Sequence, residues 1–132
     1  MRVKQKEVIP IDIIKKYKIK LLVLFGSYAD KSNKPDSDLD LAYISEGLLK
    51  KEEELSLLQD LVSFYQKGDL DLVDLKKASP TLKLEIANKG KLLYGSEEDF
   101  LNFQLYAASR FADSKFLRIE RENYLKERLS KL

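Results

Sequence analysis

The 132-residue sequence has no cysteine, no histidine and no tryptophan, and its single methionine is Met1. Without cysteine there is no disulfide framework, no thiolate nucleophile and no thiolate-bound zinc. Without histidine there is no Ser-His-Asp triad, no imidazole base and no histidine-ligated metal. Any metal chemistry therefore rests on oxygen ligands, the donors suited to Mg²⁺, Mn²⁺ or Ca²⁺. No Pro/Gly/Ser-rich linker, repeat or low-complexity segment divides the chain. No apolar run approaches the roughly 20 residues of a membrane span, and Met1 to Lys6 lacks the apolar core of a signal peptide, so a cytoplasmic protein with no membrane partner is expected. Neither sign of charge dominates. With 24 basic and 22 acidic residues the net charge is +2, which leaves no basic footprint for direct nucleic-acid binding.

What is present suffices for one core: 44% of the residues are apolar, in a chain of single-domain length. Ile9 to Tyr17 carries apolar residues at Ile9, Ile13, Ile14 and Tyr17, the stripe of a short amphipathic helix. Lys20 to Phe25 is a continuous apolar run stopped by Gly26, a buried strand. Leu39, Leu41 and Tyr43 alternate with Asp38, Asp40 and Ala42, which predicts a half-buried strand with Asp38 and Asp40 on one face. Glu46 to Gln66 has a helical stripe ended by Gly68, and Asp69 to Leu75 is a third strand. Ser79-Pro80 is an N-cap with proline at the first helical position, Gly90 closes that helix, and Lys91 to Tyr94 is a short edge strand. From Ser96, with acids in the first turn, helical spacing runs almost to Leu132. The fold class is α/β: a small mixed sheet flanked by helices, with residues 1–95 as core and 96–132 as a C-terminal helical extension.

The segment richest in chemistry starts at Gly26-Ser27. A small-residue turn at the end of a buried strand lets a ligand approach the backbone and presents N–H groups and the Ser27 hydroxyl to it, which is how a short loop holds phosphate. Ten residues further on stand Asp38 and Asp40. Two carboxylates on one strand face repel unless a cation lies between them, and two metals about 4 Å apart serve in-line phosphoryl chemistry. Asp71 is the third carboxylate if its strand pairs beside Asp40. Asp69 shares its parity, whereas Asp74 has the opposite parity and points away. Lys31 and Lys34 are point charges in the intervening loop. Tyr28 is either a stacking surface for a base or a residue buried beside the turn.

Gly-Ser, ten residues, Asp-x-Asp and a later strand acid resemble the nucleotidyltransferases of the DNA polymerase β superfamily. The run from Asp71 to Leu75 and on through Gly90 to Gly95 is similar to the minimal nucleotidyltransferase (MNT) branch, whose members are typically antitoxins paired with HEPN-domain RNase toxins. The resemblance covers Leu21 to Tyr94. It implies that Gly26 and Ser27 contact the β/γ-phosphates of ATP, and that Asp38 and Asp40 bind Mg²⁺. Asp71 would share a metal, two ions in all, and help deprotonate the incoming hydroxyl. It further implies transfer of AMP to a tyrosine of a HEPN toxin, within a hetero-oligomer of the two. The family often has Ala-Arg-Gly after the Gly-Ser pair. Here Ala29-Asp30-Lys31 stands there instead, with Lys31 or Lys34 as replacement cations. Two other readings stay open: an antitoxin that neutralises by binding alone, and a nucleotidyltransferase of small-molecule hydroxyls. The chain is not itself the toxin, because the HEPN RNase motif includes histidine. In the extension, Phe100, Phe103, Ala107 and Phe111 would dock on the core. Phe116, Leu117, Ile119, Tyr124, Leu125, Leu129 and Leu132 would form either a partner face or the inside of a folded-back hairpin.

Overall fold

Residues 19–25 alternate little in polarity because both of their faces are covered. In the computed structural model, which describes residues 9–32 and 37–131, Ile19–Phe25 is strand β1, buried at every position except Lys20. It follows helix α1 (Ile11–Lys16) and lies between its two antiparallel neighbours, β2 (Leu39–Ser45) and β4 (Lys91–Tyr94). Strand β3 (Leu70–Asp74) adds parallel to β2, so the sheet order is β3-β2-β1-β4. The parallel pair needs a crossover, supplied by helix α2 (Lys51–Tyr65). Helix α3 (Pro80–Lys89) links β3 to β4, and α4 (Glu97–Ser130) completes the chain.

The two faces of the sheet bury different sets. Leu22, Leu24, Leu39, Leu41, Tyr43 and Leu70 meet α1 and α2 through Ile14, Tyr17, Leu57, Leu61 and Tyr65. Leu21, Val23, Phe25 and Ala42 meet α3 and α4 through Ile86, Ala87, Phe103 and Ala107. Caps set the helix starts. The Glu53 side chain accepts the Lys50 N–H at 2.8 Å, Ser79 Oγ accepts the Leu82 N–H at 3.2 Å, and Ser96 Oγ accepts the Asp99 N–H at 3.0 Å. α2 therefore begins at Lys51 rather than at Glu46.

Helix α4 is one unbroken helix of 34 residues, about 50 Å long, and not a hairpin. Its first turns dock on the core through Phe103 and Ala107, and Gln104 Nε2 donates to the Ala87 carbonyl at 2.9 Å. Beyond Ser114 its described side chains are exposed, among them Leu117, Ile119, Tyr124, Leu125 and Leu129. The side chains of Phe116 and Leu132 lie outside the described residues. Among the described residues no helix is long and apolar enough to cross a membrane.

Candidate active site

Strand directions gather the predicted residues at one end of the sheet. β1 finishes there, β2, β3 and β4 begin there, and the register places Asp40 opposite both Phe25 on β1 and Asp71 on β3. Asp40 and Asp71 share parity with Ala42 and Val73, so they extend the face covered by α3 and α4 beyond the edge of that cover. Asp40 is half-buried and Asp71 exposed. Desolvation by burial, then the neighbouring Asp71 carboxylate and the charge of Asp38, push the Asp40 carboxyl up to about 6.

Asp38 sits one residue before β2, exposed, instead of on the strand beside Asp40. The ladder starts at Leu39, whose N–H donates to the Asp69 carbonyl at 2.8 Å. Among the described residues no three carboxylates already converge into a metal cluster. The close pair is Asp40 and Asp71, with Asp38 contributing its field from the strand's start. Their hard oxygens and mutual repulsion fit a divalent cation of the Mg²⁺ class, which would relieve that repulsion.

Gly26 completes the site from β1. Its φ is +73°, a region glycine enters without strain, and it opens a single 3₁₀ turn over Gly26–Tyr28. A Cβ at this position would overlap Asp40 Oδ2 and stand 3.1 Å from Asp40 Cγ. Only a residue without a side chain lets the turn and the carboxylate share this space. The Ala29 and Asp30 N–H groups fold back on the Gly26 carbonyl at 3.1 and 3.3 Å, and Ser32 N–H reaches the Ser27 carbonyl at 2.9 Å. Ser27 is half-buried at the start of the turn.

The remaining expected residues divide. Tyr28 packs against the α1/α2 core with Lys67 Nζ 6.0 Å from its ring centroid, so burial beside the turn describes it. Lys31 is exposed at φ +63°, and Lys34 lies outside the described residues. Asp69 is exposed. Asp74, as its parity requires, is buried on the other face opposite Tyr43, whose hydroxyl donates to Glu54 at 2.7 Å. One residue at this end was not singled out from the sequence: Lys89, at the close of α3, lies near enough to lower the Asp30 carboxyl, after the two hydrogen bonds Asp30 accepts from Ser32.

A mixed sheet with a glycine turn facing paired strand carboxylates defines a nucleotidyltransferase-type site. Residues 10–99 match the family described as Polymerase beta, Nucleotidyltransferase, and the chain belongs to that family. It is 33% identical over 105 residues to the protein adenylyltransferase MntA of Shewanella oneidensis, spanning 80% of this chain and 73% of MntA. Among solved structures it is similar to a toxin-antitoxin crystal structure with AMP-PNP, at TM-score 0.74 and 28% identity over 96% of this chain and 99% of the other. It is also similar to a chain of the tri-AMPylated Shewanella oneidensis HEPN toxin in complex with MNT antitoxin, at TM-score 0.69 and 28% identity over the same shares.

Proposed function

We propose that the chain is a Mg²⁺-dependent nucleotidyltransferase that moves AMP from ATP onto a tyrosine hydroxyl of a HEPN toxin in the cytoplasm, and so acts as the toxin's antitoxin. The observation that carries this reading is the Asp40–Asp71 pair, in register on adjacent strands, with a Gly26 whose missing side chain leaves room for the Asp40 carboxylate. Similarity to a protein adenylyltransferase and to an AMPylated toxin complex supports the acceptor class.

In this reading Asp40 and Asp71 hold the metal with Asp38 as a further oxygen donor, and the bound ion supplies charge neutralisation to the phosphates. The Gly26 turn and the Ser27 hydroxyl position the phosphate tail. The acceptor oxygen forms a bond to the α-phosphorus, the bond to the β-phosphate oxygen breaks, and pyrophosphate leaves. Asp71 faces solvent and takes the hydroxyl proton. With neither histidine nor cysteine in the chain, direct transfer needs no covalent enzyme intermediate.

Residues 1–95 form the catalytic unit and 96–132 the extension that meets the toxin. The distal half of α4 supports this, because its exposed leucines and Ile119 find no cover within the described chain. The test is the intact mass of the partner HEPN protein after incubation with this chain, Mg²⁺ and ATP. Gains in whole AMP units, lost with Asp40→Asn, are expected. An unchanged mass in a stable complex would establish neutralisation by occlusion instead.

A further inference from the structure

The loop that follows the Gly26-Ser27 turn carries an acid, Asp30, which sets a negative charge beside the turn. We propose that Lys89, at the C-terminal end of α3, is the residue that binds the terminal phosphates of the nucleotide in this chain. The inference rests on the reading that ATP is held at Gly26–Ser27.

Three observations place Lys89 for this role. The first is lateral order. Across the site end of the sheet the carboxylates stand on β3 and β2 and the glycine turn follows β1; the next neighbour is β4, entered directly from Lys89 and Gly90. A phosphate tail that runs from the carboxylate pair over the turn therefore continues towards the α3–β4 junction. The second is mounting. The last turn of α3 is pressed onto β1: a Cβ at Gly90 would overlap the Ile86 carbonyl oxygen and stand 2.6 Å from Val23 Cγ1. Ile86 and Ala87 are fully buried, and the Ala87 carbonyl is tied to α4 by Gln104. The stem of Lys89 is thus fixed relative to β1, three residues before Gly26, while the side chain itself is exposed.

The third is reach. The charge of Lys89 is felt by Asp30, whose carboxylate is pinned in the loop by Ser32 N–H and Oγ at 3.0 and 2.6 Å. Lys89 therefore offsets part of a negative charge that would oppose a triphosphate, from the helix end that the sheet order sets beside this loop. An ammonium is a sufficient point charge for phosphate. A cation in a last helical turn also favours the helix dipole, so the test must separate the two roles.

Titration calorimetry of the full chain with ATP and with AMP, in Mg²⁺, makes that separation. Lys89→Met should weaken ATP binding about tenfold and leave AMP binding within about twofold, with Lys89→Arg restoring ATP affinity. In the double variant Asp30→Asn/Lys89→Met, ATP binding should stay below that of Asp30→Asn alone. Equal affinity in those two variants would mean that Lys89 merely masks Asp30, and would overturn the proposal. So would parallel loss of ATP and AMP affinity, the mark of a structural role. Wild-type protein that takes up no ATP would overturn the nucleotide reading and this inference with it, whereas wild-type binding with an indifferent Lys89→Met overturns the inference alone.

Discussion

Ionising Asp40 is opposed from two directions: the carboxylate is half-buried, and Asp71 sits beside it in register. Its carboxyl titrates at about 6 in the folded chain and near the ordinary aspartate value of about 3.9 in the unfolded one. The folded state thus binds this proton more tightly. The resulting stabilisation is complete below about pH 4 and is lost as the pH rises through about 6. In metal-free buffer at pH 7.5, Asp40→Asn should raise Tm by about 3 °C, which corresponds to about 1 kcal/mol after allowing for solvent screening. At pH 4 the variant and the wild type should melt together. Thermal scans at the two pH values check this, and a variant less stable at pH 7.5 would contradict the assigned repulsion.

Helix α4 shows how differently two halves of one element behave. Phe103 and Ala107 are buried against α3 and the sheet, whereas Leu125 and Leu129 are more than half exposed. Phe103→Ala should cost about 3–4 kcal/mol, measured by urea unfolding. Leu125→Glu should leave the unfolding midpoint unchanged and weaken capture of the proposed HEPN partner in a pull-down. Most of this architecture was legible in the sequence. The 2.0-residue period of 39–43, the stop at Gly26, the Ser79-Pro80 start and the Gly90 end all lie where expected, because each is local chemistry. For residues 96–132 the apolar spacing leaves a partner-facing helix and a folded-back hairpin both open; the single helix agrees with the lack of glycine or proline there, a signal that spacing alone does not use. The start of α2 was misplaced because Leu49 packs on the core from a loop and so mimics a helical stripe. Alternation could not separate Asp38, just outside the ladder, from Asp40 within it. Lys89 left no signal at all: it lies far along the chain from Gly26, and only the packing of α3 on β1 unites them.

The whole molecule is a small catalytic sheet with a rod attached. The 16 residues of α4 beyond Ser114 project without tertiary support, held by their own backbone hydrogen bonds and by weak pairs such as Lys131–Glu127 at 3.5 Å and Arg128–Tyr124 at 3.2 Å. An isolated helix of that length is marginal in water, so its stability in the free chain must fall away with distance from Ala107. Amide hydrogen exchange should therefore record a gradient along α4, from slow near Phe103 to rapid beyond Leu117, and a docked partner should flatten it. The projecting rod makes the chain a reporter of its own occupancy: the exchange rate of its last turns is read without any catalysis, and it counts how many chains have found a partner.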